Sequence, residues 1–221
     1  MTLSRPDLEQ GRMRELYRAT IGAAHALDDE ALSGSLAETL AGKPKGAGWW
    51  VFGYGSLLWN PLFPVAEARP ASVHGLHRSF CLRSLASRGT PERPGLVLGL
   101  ERGGACRGVA YRLPSALAID ELRLLWRREM VVGSYRPVWV RARAGGREIV
   151  ALTFAVRRDH PQYAALTLDE QADTIAHACG ALGSSCEYLM STRAALASHG
   201  IVDRYLETLA GAVRARRRGA G

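Results

Sequence analysis

The sequence predicts an α+β fold, a small mixed, mainly antiparallel β-barrel with flanking helices. Three observations predict it. Residues 49 to about 156 carry short runs rich in β-branched and aromatic residues, with glycine turns between them. The stretches on either side read as helices, alanine-rich before residue 42 and marked by two capping boxes after 160. One amphipathic helix interrupts the strands: Pro114-Ser115 opens a run that places Ile119, Leu122, Leu125 and Trp126 on one face.

Taken in order, residues 7–41 form the first helical stretch. The segment Ala41-Gly42-Lys43-Pro44-Lys45-Gly46-Ala47-Gly48 breaks it with three glycines and a proline and reads as a linker. Residues 1–48 are therefore expected to be an N-terminal helical extension, packed on or tethered to a main domain over 49–213. Candidate strands in that domain are 49–54, 71–82, 95–101, 106–113, 135–143 and 147–156. Arg102-Gly103-Gly104 and Ala144-Gly145-Gly146 stand between strands at hairpin distance, which predicts antiparallel pairing. Thr167 with Glu170, and Ser184 with Glu187, each put a hydroxyl at an N-cap and a glutamate three residues on. Gly200 after His199 is a C-terminal stop. A last helix at about 202–216 runs into a basic tail, 214–221.

Composition narrows the function. A 47% hydrophobic and 23% charged chain of 221 residues is an ordinary globular protein with a real core. No apolar run reaches the roughly 18 residues of a membrane span. Glu9, Arg12, Arg14 and Glu15 follow the start with no apolar region between, which argues against a signal peptide. A cytoplasmic location is the expectation, with no membrane partner. Cys81, Cys106, Cys179 and Cys186 match no zinc spacing and are expected to be reduced and mostly buried. Net charge is +8, but all except Lys43 and Lys45 of the 29 basic residues are arginine, and Arg214, Arg216, Arg217 and Arg218 crowd the last eight positions. Removing those four from +8 leaves +4. A frayed, solvated tail explains them, weak polyanion contact being the alternative, and no nucleic-acid partner is expected.

The most informative stretch is Trp49-Trp50-Val51-Phe52-Gly53-Tyr54-Gly55-Ser56-Leu57-Leu58-Trp59, an apolar strand running into a glycine turn. Gly53 and Gly55 permit positive φ and close approach of a ligand to the backbone. Successive N–H groups there can cradle an anionic group, with the Ser56 hydroxyl at the rim. An ordinary strand end accounts for the same residues. Glu129 closes the inserted helix beside apolar residues. The helix dipole and desolvation both raise its pKa, which suits a general base or acid near neutrality. A salt bridge to Arg127, Arg128 or another arginine is the competing account.

Four segments in order resemble the ChaC-type γ-glutamylcyclotransferases. They are Val51–Leu57 with Trp59 and Pro61; Arg88-Gly89-Thr90-Pro91-Glu92 with Pro94-Gly95; Cys106–Arg112; and Arg127-Arg128-Glu129 with Gly133 and Tyr135. Glu187-Tyr188-Leu189 falls where that family has a C-terminal helical signature. Ser87 and Ser134 depart from the pattern, standing where some members have histidine and glycine. The resemblance covers about 49–210 and implies a γ-glutamylcyclotransferase-like catalytic domain over 49–213.

It also implies an activity: cofactor-independent cleavage of glutathione into 5-oxoproline and cysteinylglycine. The substrate's α-amine attacks its own γ-amide carbonyl, and that amine is largely protonated at neutral pH. Glu129 matches the family's catalytic glutamate and would carry the proton from the amine to the leaving nitrogen. Val51, Phe52, Gly53, Tyr54, Gly55 and Ser56 match the family's γ-glutamyl-binding turn, where backbone N–H groups suit a carboxylate or an oxyanion. Arg88 is a candidate partner for a glutathione carboxylate or a structural ion pair. Tyr54 and Tyr188 are candidate pocket residues or core tyrosines, Tyr188 being a substrate-binding candidate with Arg88. Neither metal nor nucleotide is implied. His74 and His77, three apart on a strand, point to opposite faces, and Gly42-Lys43-Pro44 lacks the phosphate-loop spacing. The alternatives are a cyclotransferase for other γ-glutamyl amines or amino acids, and a non-enzymatic regulator on the same fold.

Overall fold

The computed structural model describes residues 3–219; Met1, Thr2 and the end of the expected basic tail, Ala220 and Gly221, lie outside the described residues. Five strands, β1 (Trp50–Gly53), β2 (Glu67–Ser84), β3 (Gly95–Arg112), β4 (Tyr135–Ala144) and β5 (Arg147–Val156), close a barrel in the order β1-β3-β2-β4-β5. All neighbours run antiparallel except the short contacts of β5 with β1 and β3, which are parallel. This is the mixed, mainly antiparallel barrel that the strand pattern predicts. Phe52, Phe80, Leu98, Leu152 and Phe154 are fully buried core side chains of these strands, and Trp126 packs edge-on against Phe154.

One expected hairpin is real and the other is not. Gly145 and Gly146 both take positive φ and join β4 to β5 through the Ala144–Arg147 pair, as a two-residue turn requires. Arg102-Gly103-Gly104 instead lies inside β3. The runs 95–101 and 106–113 are one strand, paired along nearly its whole length with β2. Gly103 and Gly104, at φ +101° and +64°, face Gly75 at +82° where the register shifts between His74 and Leu76. Positive φ serves a bulge in a long ribbon as readily as a chain reversal, and composition does not separate the two.

The N-terminal stretch is helical but not continuous: α1 (Arg5–Glu9), α2 (Arg12–Ile21) and α3 (Asp29–Ala41) are separated at Gly11 and Gly22, both at positive φ. Leu8, Met13 and Tyr17 pack with Ala86 and Val131, while Leu32 and Leu36 join the main core. The inserted helix α4 (Ala118–Glu129) buries Ala118, Leu122, Leu125 and Trp126 along one face. Its last turn carries Arg127 and Arg128, favourable to the helix C-terminus, and ends on Glu129.

After the barrel come α5 (Leu168–His177), the two-stranded β6 (Cys179–Gly180) and β7 (Gly183–Ser184), α6 (Ser185–Ser198) and α7 (Arg204–Gly219). Both expected capping boxes form, at Thr167 with Glu170 and at Ser184 with Glu187. Gly200, at φ +67°, follows the C-cap of α6. The expected frayed tail is instead helical through Gly219. Arg216 reaches back to Asp169 and Asp173 on α5, so that arginine docks one helix on another. All four cysteines are free; three are buried and Cys179 is exposed.

Candidate active site

The chain leaves β1 at Gly53 and turns through a single 3-10 turn, Ser56–Leu58. Neither Gly53 nor Gly55 takes positive φ, contrary to the expectation from their type. Close approach is what requires glycine. A Cβ on Gly55 would stand 2.7 Å from Tyr188 Oη, and one on Gly53 would stand 3.0 Å from the Tyr111 ring. Within the turn the amides of Leu58 and Trp59 donate to the carbonyls of Gly55 and Ser56, so Ser56 and Leu57, at its head, hold the amides that have no acceptor in the turn. Trp59 fixes its far end, its indole N–H donating to Thr192 Oγ1 on α6 at 3.2 Å.

Below this turn lies a narrow recess of about 20 Å³, lined by Tyr54, Gly55, Ser56, Glu129, Tyr135 and Tyr188 among others. Such a space admits one small polar group. It adjoins an outer cavity of about 110 Å³ that shares Ser56, Glu129, Tyr135 and Tyr188 and adds Trp59, Arg88 and Arg128. Glu129 therefore stands where the two spaces meet.

Glu129 is the chemically unusual group. Its side chain is 13% exposed, and Oε1 is buried without a hydrogen-bond partner. Arg128 Nε lies 3.0 Å from that oxygen, so the expected ion pair exists, but the guanidinium N–H is not directed at it. Burial pushes the carboxyl above the ordinary carboxylate range, with the Arg128 charge opposing. Arg128 is itself held by the Asn60 carbonyl.

The tyrosines give the recess a neutral, hydroxyl-bearing wall. Tyr54 donates to the Phe154 carbonyl at 2.8 Å and Tyr135 to the Leu98 carbonyl at 2.7 Å. Burial, reinforced by the Glu129 charge, pushes the Tyr188 phenol up to about 12. Tyr188 packs edge-on against Trp59 and Phe80. Arg88 reaches the outer cavity across these rings, its guanidinium 5.6 Å from the Trp59 centroid and 5.7 Å from that of Tyr188. Its ion pair with Glu187 is long, at 4.0 Å. Ser84 Oγ accepts from its backbone amide at 2.8 Å, and Ser185 Oγ donates to its carbonyl at 3.1 Å, so the loop that carries it is clamped on both sides.

Of the sequence candidates, the structure brings together Glu129, Tyr54, Gly55, Ser56, Arg88 and Tyr188. The side chains of Val51 and Phe52 are buried in the core and line neither cavity. Gly53 lies in the same strand against Tyr111. Sequence reasoning missed Tyr135, Trp59 and Arg128 as lining residues, although all three lie in the motifs quoted above. It also missed Tyr17, on α2, for which no local signal exists.

Known proteins match this architecture. A family model described as ChaC-like protein matches residues 49–216. The glutathione-specific gamma-glutamylcyclotransferase of Escherichia coli (strain K12) is 43% identical over 182 residues, 81% of this chain and 79% of the relative. Gamma-glutamylcyclotransferase 2-3 of Arabidopsis thaliana is 30% identical over 178 residues, 75% of this chain and 88% of that protein. A crystal structure of a γ-glutamyl cyclotransferase specific to glutathione, from yeast, superimposes with a TM-score of 0.73 at 26% identity, covering 79% of this chain and 99% of the other. With the family model spanning most of its length and a relative this similar over four-fifths of it, the chain belongs to the ChaC-like protein family.

Proposed function

We propose that this protein is an enzyme, a lyase that cyclises the γ-glutamyl group of glutathione, releasing 5-oxoproline and cysteinylglycine. The observation that carries the reading is the buried Glu129 carboxylate, with one oxygen free of any hydrogen bond, at the mouth of a recess sized for a single polar group. An unpartnered buried acceptor is costly unless something is meant to meet it. A substrate ammonium supplies that partner. The names of the relatives and of the yeast structure support glutathione as the substrate.

In this reading Glu129 takes a proton from the α-ammonium. The amine lone pair then attacks the γ-carbonyl carbon, forming the lactam C–N bond and a tetrahedral oxyanion. Collapse breaks the C–N bond to cysteine, and the proton held by Glu129 passes to the departing nitrogen. The carboxylate so freed takes the second proton from the ring nitrogen, leaving a neutral lactam, and returns it to solvent. Proton transfer of this kind contributes roughly 10²–10⁴ in rate. The ring closes within one molecule, so the pocket's larger task is to hold the glutamyl chain folded. In the same reading the Ser56 and Leu57 amides take the oxyanion or the α-carboxylate, and Arg88 takes a carboxylate of the leaving peptide; their lining of the two spaces supports this. These parts come from the unit over 49–213, which we assign as the catalytic domain.

The test is incubation of the purified protein with glutathione, γ-glutamyl-alanine and γ-glutamyl-lysine, with 5-oxoproline measured in each. Stoichiometric 5-oxoproline and cysteinylglycine, with glutathione the preferred substrate, is the expected result. Preference for another γ-glutamyl compound would reassign the substrate, and turnover of none would remove the enzymatic reading.

A further inference from the structure

The outer cavity has a wall that the family match does not include. Leu3, Met13 and Tyr17 line it, and all three precede residue 49, where the matched region begins. Met13 and Tyr17 are almost completely buried there, packed with Ala86 and Val131 around the mouth. The segment is tied down at several points. Arg5 forks onto Glu121 of α4 at 2.7 and 2.9 Å. The Leu3 carbonyl accepts from Asn60 Nδ2 at 2.9 Å, and the same Asn60 holds Arg128 through its own carbonyl. The Leu27 amide donates to the carbonyl of Val131, two residues beyond Glu129, at 2.8 Å. The Tyr17 hydroxyl lies 3.5 Å from Ser87 Oγ, which lies 2.8 Å from Ser84 Oγ, the acceptor for the Arg88 amide.

We propose that Met13 and Tyr17 are specificity-determining residues that contact the part of the substrate beyond the γ-glutamyl group. This rests on the proposed function above. With one polar group of the glutamyl head in the recess and the γ-carbonyl at Glu129, the leaving group extends into the outer cavity. A thioether and a phenol ring form a polarisable, mostly apolar surface, suited to a small or thiol-bearing side chain. Arg88 and Arg128, on the same cavity, suit a terminal carboxylate. The ligand class is thus a γ-glutamyl peptide whose second residue is small and polarisable and whose C-terminal carboxylate is free. The N-terminal segment is a wall of the site as well as an extension to the domain.

The experiment compares kcat/KM for glutathione and for γ-glutamyl-alanine in the full-length protein and in Met13→Ala, Tyr17→Phe and Tyr17→Ala. Thermal unfolding identifies any variant that has lost its fold, and Tyr17→Phe keeps the ring packing. The selectivity ratio, glutathione over γ-glutamyl-alanine, is expected to fall about tenfold or more in Met13→Ala and Tyr17→Ala, with a smaller fall in Tyr17→Phe. Folded variants whose ratio equals that of the wild type overturn the wall while leaving the proposed function standing. A wild type that turns over neither compound overturns both.

Discussion

Arg128 Nε stands 3.0 Å from Glu129 Oε1 and donates no hydrogen bond to it. The pair is close enough for charge to matter and misaligned enough to leave the carboxylate oxygen free. Burial disfavours the charge of such a carboxylate and the neighbouring cation favours it, while the free oxygen has room for a substrate proton. That combination is what the proposed base requires, whereas in a structural salt bridge the oxygen would be occupied.

Removing the cation changes the pH profile. Burial raises the Glu129 pKa and Arg128 lowers it, so Arg128→Gln leaves the raising effect unopposed. The base must be ionised to act, and activity is therefore lost as pH falls through its pKa. The acid limb of kcat/KM in Arg128→Gln is expected at higher pH than in the wild type. An acid limb that stays in place would show that the Arg128 charge does not tune the base.

The same carboxylate costs stability. A folded-state pKa above the unfolded value means that the native state holds its proton more tightly, so stability falls as pH rises from the ordinary glutamate range through the folded pKa. Glu129→Gln removes the ionisation. It is expected to unfold at a higher temperature than the wild type at neutral pH, with the difference shrinking toward pH 4. Thermal melts at a series of pH values check this, and equal differences at every pH would contradict it.

Gly55 tests the fit of the turn. A methyl group there meets Tyr188 Oη at 2.7 Å. Gly55→Ala is expected to lose about 10²-fold in kcat/KM by displacing the tyrosine or the turn. Adding Tyr188→Phe removes the clashing atom and should restore part of the loss. A double variant no better than Gly55→Ala would mean that the glycine serves another purpose.

The N-terminal segment is held partly by Arg5 on Glu121, whose side chain is 4% exposed while that of Arg5 is 40% exposed. Truncating Arg5 to alanine strands a buried carboxylate and should cost about 1–3 kcal/mol, less than a fully buried pair because water reaches the arginine. Urea unfolding measures it. Arg5→Ala with Glu121→Leu is expected to recover much of the loss, and no recovery would place the cost elsewhere.

Much of this was legible in the residues. The barrel follows from β-branched runs and glycine turns, and the capping boxes at Thr167 and Ser184 form where their hydroxyl and glutamate spacing puts them. Glu129 and the Gly55-Ser56 turn reach one site across 73 positions of chain because Glu129 ends α4 and the turn follows β1. What stayed hidden depends on tertiary geometry. Gly103 and Gly104 make a bulge because β2 continues opposite them. Gly55 is needed for the hydroxyl of Tyr188, over a hundred residues away. Tyr17 enters the cavity from a helix whose sequence carries only an ordinary apolar face.

Glu129 is the group proposed to move the proton. The direct measurement is 5-oxoproline formation from glutathione by Glu129→Gln beside the wild type, with glutathione binding measured on both by calorimetry. kcat is expected to fall by roughly 10²–10⁴, with binding retained to within about tenfold. A folded Glu129→Gln that produces 5-oxoproline at the wild-type rate would contradict it.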